Sequence, residues 1–483
     1  MNLLLVQRIL GLLLILFSLT MLPPLGVSLY YQDGNWQPFI DSMLSLAVLG
    51  MIIWFPVRKR ARELRLRDGF LVVAAFWVVL GLAGAAPLVL SDTPEMSLTD
   101  AVFEAVSGFT TTGATVLSGL DALPKSVLYY RQQIQWLGGL GMIVLAVALL
   151  PMLGVGGMQL LRAETPGAVK DVKLTPRITQ TAKVLWVVYV AMTIVCATCF
   201  WLAGMTPFDA IGHSFATLST GGFSTHDASL GYFNSTAINT IAVIFMFFGG
   251  VNFALHFLVF RFARPLEYLR DSEFRAYLLL VIVLTVLATV LLAVTPQHGP
   301  FGFALGKAVF HVVSIQSNTG FITEEFSYWP GALPVVLVLM SFVSGCAGST
   351  SGGMKVIRWL LIWKQGAREV QRLIHPSAEI PVKIGNKPVE WRVMDAVWGF
   401  FAVYVVLFSL LMVLLIGMGE DQVTAFAAIA SCMNNLGPGL GEVSLTFTSL
   451  ADAGKWVCIA AMLLGRLEVF PLLVLVTPTF WRR

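Results

Sequence analysis

Long apolar runs separated by short polar connections dominate this chain. Ten of the runs predict membrane spans, most of them roughly 20 residues long and so able to cross a hydrocarbon core. They are Ile9 to Leu22, Phe39 to Val57, Phe70 to Leu90, Ile134 to Leu153 and Val184 to Leu202. Ala237 to Phe260, Ala276 to Val294, Leu333 to Trp363, Val393 to Met418 and Trp456 to Val476 complete the set. The first run has Arg8 before it, as a signal peptide would, but no small-residue cleavage site follows. Pro23-Pro24 instead leads on to the second run, so a retained helix is expected.

Between the spans, four long connections break the pattern. Each holds an apolar segment too short to cross, followed by a polar motif with glycine. They read Thr99-DAVFEAVSGF-TTTGAT, Pro207-FDAIGHSFATL-STGGFST, Pro300-FGFALGKAVFHVVSIQ-SNTGFIT and Asp421-QVTAFAAIASCM-NNLGPG. Segments of this length fit re-entrant helices. Thr99-Asp100, Pro207-Phe208-Asp209 and Asp421 have the chemistry of helix starts, a capping side chain or a proline in the first turn. Taken alone, Phe109 to Val116 fits an extramembrane loop as well as a pore lining. Aligning Gly113, Gly221, Gly320 and Gly437 gives separations of 108, 99 and 117 residues (221−113, 320−221, 437−320). One unit of span, short helix, glycine motif and span thus recurs four times, and such a repeat is the strongest organisational signal in the chain.

Charge then orients the spans. Arg58 to Arg67 carries six basic residues, and further basic clusters fall at Arg162 to Lys183, Arg261 to Arg275 and Lys355 to Arg392. The opposite connections are nearly free of basic residues, chiefly Lys125, Arg131, Lys307 and Lys455. Gly204 to Thr236 and Glu420 to Leu450 have none. The positive-inside rule puts the clusters, both termini and the final Arg482-Arg483 in the cytoplasm.

Composition agrees. The 483 residues are 57% hydrophobic and 12% charged, with a net charge of +4, and the mean hydropathy is +0.81. Soluble domains carry about twice that charge fraction. The expected class is an all-α polytopic membrane protein. Cys196, Cys199, Cys346, Cys432 and Cys458 suggest no disulfide framework, and six scattered histidines give no metal-ligand spacing. With no nucleotide-binding loop and no convergent acid, base or nucleophile at one depth, an enzyme is not expected.

Extended backbone survives at membrane depth only where protein or a water-filled path surrounds it. Four such loops around one axis would ring a narrow path with carbonyl oxygens, which replace the hydration shell of a cation the size of K⁺. The short helices would add their negative C-terminal ends, and glycine would permit close backbone approach.

With these motifs the whole chain resembles the Trk/Ktr/HKT superfamily of potassium transporters, two N-terminal helices followed by four helix–pore loop–helix repeats. The resemblance implies units at 1–68, 69–160, 161–265, 266–385 and 386–483, with filters at 110–115, 219–224, 317–323 and 434–439. It implies K⁺ at Thr111, Thr112 and Gly113; at Thr220 and Gly221; at Asn318, Thr319 and Gly320; and at Asn435, Leu436 and Gly437. Gly221-Gly222 leaves the second register open by one residue, and Leu436 replaces the threonine found elsewhere. Relatives that admit Na⁺ often carry serine at the first glycine, so Gly113 favours K⁺.

The eighth span is interrupted by Gly345 to Lys355, whose Gly345, Gly348, Gly352 and Gly353 make a poor helix interior at about 1 kcal/mol each against alanine. Close small-residue packing between helices is one reading. The resemblance implies the other, a broken helix at 345–355 acting as an intramembrane gate. Arg466 lies within the last span, where a charge costs about 2.5–3.5 kcal/mol and faces a pore or a partner. An ion pair with another helix would satisfy it; the resemblance makes it a positive barrier beneath the filter. Glu104, Asp209, His213, Lys307 and His311 read as scaffold. The resemblance further implies a homodimer in the bacterial inner membrane, docked to a cytoplasmic nucleotide-binding regulatory subunit of the TrkA type. K⁺ is the cargo and no organic cofactor is expected on this chain. Symport with H⁺ or Na⁺ remains the alternative to a gated, channel-like pore.

Overall fold

Helices form most of the computed structural model, which describes residues 3–59, 66–148, 178–295, 301–385, 387–467, 475 and 477. Most of the basic clusters at 58–67 and 162–183, Glu468, Arg482-Arg483 and the ends of the spans expected at Leu153 and Val476 lie outside the described residues.

The main helices are α1 (Leu3–Ser18), α2 (Leu22–Tyr31), α3 (Gln37–Trp54), α4 (Leu66–Ala83), α5 (Leu98–Phe109) and α6 (Lys125–Ala148). Next come α7 (Ile178–Leu202), α8 (Pro207–Leu218), α9 (Thr236–Gly249), α10 (Phe253–Phe262), α11 (Ser272–Val294) and α12 (Phe301–Gln316). The chain continues with α13 (Leu333–Met340), α14 (Val356–Ile374), α15 (Trp391–Gly417), α16 (Gln422–Asn434) and α17 (Asp452–Arg466).

Six helical stretches among the described residues are long and apolar enough to cross a membrane: Leu3–Tyr31, Gln37–Val57, Asp68–Val89, Ala182–Leu202, Ser272–Val294 and Trp391–Gly417. Their outer faces are oily. On α11, Leu279, Ile282, Val283 and Val286 are exposed while Tyr277, Leu284, Ala288 and Leu292 are buried. In water such a face would aggregate; against lipid it is the stable arrangement. The first crossing runs through Pro23-Pro24 to Tyr31 instead of stopping at Leu22, because the prolines fall in the first turn of α2, where their missing N–H groups cost nothing. α1 and α3 touch where Gly11 meets Gly50: a Cβ on Gly11 would lie 2.7 Å from the Trp54 nitrogen.

Two expected spans are not straight. Ala237 to Phe260 forms α9 and α10, bent by 103°. The Gly250 carbonyl freed at the bend accepts from the Cys346 N–H (2.7 Å), and Asn252 Oδ1 caps the restarted helix at the Ala254 N–H (2.8 Å). Leu333 to Trp363 is broken as expected, but helix α13 ends at Met340, four residues before Ser344 (344−340). β1 (Val343–Ser344) then pairs in parallel with β2 (Met354–Lys355), closing a loop over 345–353 before α14 begins.

The re-entrant helices α5, α8, α12 and α16 occupy the interior, with Ala101 to Phe109 of α5 wholly buried. The starts of α5, α8 and α16 are capped. Ser97 accepts from the Asp100 N–H (3.1 Å), two residues before the expected Thr99; Thr206 accepts from Asp209 with Pro207 following; and Asp421 accepts from Val423 and Thr424.

Candidate ion pathway

All four re-entrant helices end alike. The second residue past α5, α8 and α12, and the first past α16, adopts a left-handed conformation: Thr111 (φ 55°), Thr220 (φ 52°), Asn318 (φ 54°) and Asn435 (φ 55°). The next N–H then reaches back five residues, Thr112 to Ser107, Gly221 to Ala216, Thr319 to Ser314 and Leu436 to Ser431, at 2.8–2.9 Å. This is the Schellman ending. Asparagine tolerates it; threonine does so only where its surroundings over-determine the backbone, at about 1–3 kcal/mol each.

Two residues past each left-handed position stands a glycine with positive φ: Gly113 (80°), Gly222 (77°), Gly320 (82°) and Gly437 (100°). The second glycine is therefore Gly222 and not Gly221, which shifts the register of that loop by one. The separations become 109, 98 and 117 (222−113, 320−222, 437−320). Gly221 takes the middle place, equivalent to Thr112, Thr319 and Leu436.

The four glycines close a cycle. A Cβ on Gly113 would collide with the Gly221 carbonyl, one on Gly222 with the Thr319 carbonyl, and one on Gly320 with the Leu436 carbonyl; one on Gly437 would sit 3.0 Å from the Thr112 oxygen. Each loop thus presses its glycine against the middle carbonyl of the next, and the fourth returns to the first. Leu436 departs from threonine without breaking the ring, since its carbonyl holds the place. Of the expected residues, Thr112, Gly113, Gly221, Thr319, Gly320, Leu436 and Gly437 meet in this cycle, and Thr111, Thr220, Asn318 and Asn435 stand just before it in each loop. Side chains tie neighbours together: Asn435 Nδ2 donates to Thr112 Oγ1 (2.8 Å), and Asn318 Nδ2 to the Asn434 carbonyl (2.5 Å).

On one side of the ring, a polar residue nine positions before each of the first three glycines pins the outgoing strand (113−104, 222−213, 320−311). Glu104 accepts from Thr115 Oγ1 (2.9 Å) and the Val116 N–H (3.0 Å) and pairs with Arg131 (2.7 Å). His213 accepts from Ser224 Oγ at Nε2 (2.9 Å) while its Nδ1–H donates to the Asp209 carbonyl (2.8 Å). His311 lies 3.1 Å from the Glu324 carbonyl, and Lys307 pairs with the Glu324 carboxylate (2.6 Å). All five residues thus bond to neighbouring backbone or side chains. Above the ring opens a cavity of about 320 Å³, floored by Gly113, Gly222, Gly320 and Pro438 and walled by Arg131 and His226.

On the opposite side of the ring, the glycine-rich loop touches three of the four helix ends. Thr350 Oγ1 lies 3.0 Å from the Leu218 carbonyl and 3.1 Å from that of Gly249, and Ser351 Oγ donates to the Ser317 carbonyl (2.8 Å). A Cβ on Gly352 would collide with the Asn434 carbonyl, and one on Gly353 would lie 3.0 Å from Asn318 Nδ2. Gly345 packs on Gly250, and Gly348, with φ 73°, on Asn252. Arg466 is the last residue of α17, buried, and its Nη1 donates to the Thr350 carbonyl (2.9 Å). Glu273 accepts from Ala347 N–H (2.8 Å) and Ile357 N–H (3.3 Å), fastening both ends of the loop. The sequence left the second register open between Gly221 and Gly222, and nothing in it singled out Thr350 or Glu273.

Comparison with known proteins matches this architecture to one family. The model of the TrkH cation transport protein family matches residues 36–482. The chain belongs to the TrkH family. It is 54% identical over 477 residues to the Trk system potassium uptake protein TrkH of Vibrio parahaemolyticus, covering 98% of each chain. It is 51% identical to the same-named protein of Escherichia coli K12, covering 99% of each. The crystal structure of the potassium transporter TrkH from Vibrio parahaemolyticus superposes with a TM-score of 0.93 at 52% identity over 100% of both chains. This member of the TrkH family is accordingly a multi-pass membrane transport protein.

Proposed function

We propose that this chain takes up K⁺ across the bacterial inner membrane through a gated, channel-like pathway whose filter is the four-loop ring. The observation that carries the reading is the cycle of glycine against carbonyl, from Gly113–Gly221 round to Gly437–Thr112. A ring of carbonyl dipoles suits a large, weakly hydrated cation, and four helix C-termini add negative potential at the same level. The similarity to proteins named for potassium uptake supports K⁺ as cargo.

Beneath the ring, the loop 345–353 and Arg466 act as the gate. The loop is held by a few hydroxyl bonds to helix-end carbonyls, and the guanidinium places a positive charge beside them. Passive flux is favoured over symport because the buried carboxylates Glu104, Asp209 and Glu273 are committed to N–H, hydroxyl, imidazole and guanidinium partners, Asp68 also has a partner, and such groups are poor proton carriers. A homodimer with a nucleotide-binding regulatory subunit on the cytoplasmic face completes the proposal, with the basic clusters at 261–275 and 355–392 as docking surface.

The test is uptake of ⁸⁶Rb⁺ and ²²Na⁺ into liposomes holding the purified protein. Rb⁺ uptake that external K⁺ competes away and Na⁺ does not supports the reading. Rb⁺ uptake that requires a proton or Na⁺ gradient contradicts passive flux.

A further inference from the structure

The second loop is unlike the other three. It alone has glycine at both the middle and the last position, Gly221 and Gly222, so it brings no side chain of its own to hold the ring carbonyl. Elsewhere the middle residue is anchored. Thr112 Oγ1 pairs with Thr110 Oγ1 (2.7 Å), Thr319 Oγ1 with Ser317 Oγ (2.7 Å), and Leu436 is wholly buried. Two adjacent glycines carry the largest conformational freedom of any pair, the opposite of what a fixed carbonyl dipole requires.

The anchor comes from another repeat. Gln135, fully buried on α6, donates from Nε2 to the Gly221 carbonyl (2.6 Å) and accepts at Oε1 from the Phe223 N–H (3.0 Å). Only one orientation of the carboxamide satisfies both partners, since the carbonyl is solely an acceptor and the N–H solely a donor. One turn earlier on the same helix face, Gln132 Nε2 reaches the Phe223 carbonyl (3.4 Å), and Arg131 donates to the Ser224 carbonyl (3.2 Å) while stacking on the Phe223 ring at 4.2 Å. The carboxamide also fills the space a side chain at 221 would need: a Cβ there would lie 2.5–2.8 Å from Gln135 Cδ, Oε1 and Nε2. Gly221 does not have positive φ, so its backbone accepts a side chain once that space is vacated.

We propose that Gln135 is a specificity-determining positioning residue, a carboxamide supplied by the first repeat in place of the side chain missing at Gly221, which fixes the direction of one of the four ring carbonyls. The inference rests on the four-loop ring being the K⁺ filter. Without the brace the Gly221 carbonyl tilts, and the ring discriminates less between cations of different size.

The experiment measures Rb⁺-over-Na⁺ preference in liposomes for four variants of the full chain at matched incorporation. Gln135→Met keeps the volume and loses both bonds; a fall in preference of roughly two- to tenfold is expected, the range for one net hydrogen bond. Gly221→Thr alone overfills the site and lowers preference. Gln135→Ala with Gly221→Thr restores it, because threonine, the residue at 112 and 319, takes the vacated space. Gly113→Ser serves as the reference. An unchanged preference in Gln135→Met alongside a lowered one in Gly113→Ser overturns the role of Gln135 and leaves the filter standing. No change in either variant overturns the filter itself, and Gln135 with it. Failure of the double variant to recover, while Gln135→Met is impaired, overturns the side-chain substitution.

Discussion

At the residue scale, the ring depends on atoms that are absent. A side chain at Gly113 or Gly222 would occupy the place of a neighbouring loop's backbone carbonyl, which cannot move without opening the ring. Gly113→Ser and Gly222→Ser are therefore both expected to admit Na⁺, read as a lowered ⁸⁶Rb⁺/²²Na⁺ uptake ratio. The Gly222 variant separates the register found here from the one that alignment of Gly221 suggests. Full preference in Gly222→Ser would return the ring position to Gly221. The Glu104–Arg131 pair makes a second prediction. Both side chains are essentially inaccessible, at 0% and 1%. Arg131→Met leaves a carboxylate buried without its counter-ion, a loss of about 3–5 kcal/mol. A markedly lower midpoint of thermal unfolding in detergent checks it; an unchanged midpoint would mean that Glu104 is neutral or rehydrated in the variant.

At the element scale, what could be read from the chain was whatever leaves a repeating or compositional trace. The four re-entrant helices announced themselves by length, capping residues and the recurring glycine, and all four exist. Register in the second loop could not be read, because two glycines in a row give no side chain to align; only the left-handed Thr220 fixes it. The bend after Gly249 was hidden because hydropathy runs unbroken through it, and the break after Met340 came earlier than glycine content implied, since the parallel pairing of β1 and β2 extends the loop. Thr350, Glu273 and Gln135 act through partners more than 70 residues away, a distance no local pattern encodes. The loop 345–353 rests on two helix ends through single hydroxyl bonds, each worth about 0.5–1.5 kcal/mol net, and on a third through Gly352 packed against the Asn434 carbonyl. Thr350→Val and Arg466→Ala each remove one holding contact and are expected to raise K⁺ flux several-fold at matched expression, measured as initial ⁸⁶Rb⁺ uptake. Lower flux in both would make the loop a support of the pathway instead of its gate.

At the scale of the whole molecule, ion pairs on one side of the ring join neighbouring repeats. Lys455 of α17 reaches Asp100 before α5 finishes its first turn (2.6 Å), joining the fourth repeat to the first. His226 joins the first and second: it contacts Asp121 after the first filter strand, lies 3.5 Å from Asp209 of α8, and stacks on Tyr232 at 3.5 Å. Burial pushes the His226 pKa down, but the carboxylates of Asp209 and Asp121 outweigh it and hold the group above its ordinary value. A raised folded pKa means the contribution to stability is complete below the unfolded value, about 6.5, and is lost as pH rises through the folded value. Thermal midpoints should therefore fall as pH rises above about 6.5, and His226→Gln should remove that component of the slope. Identical slopes in both proteins would show that the clasp does not titrate in this range.

These scales converge on one claim, that four non-identical loops from one chain form a single K⁺-selective ring. The most direct test is the zero-current potential of the reconstituted protein with K⁺ on one side of the bilayer and Na⁺ on the other, for the wild type and Gly113→Ser. The account predicts a potential strongly favouring K⁺ in the wild type that moves toward zero in the variant. A wild-type potential near zero, or one that Gly113→Ser leaves in place, would contradict it.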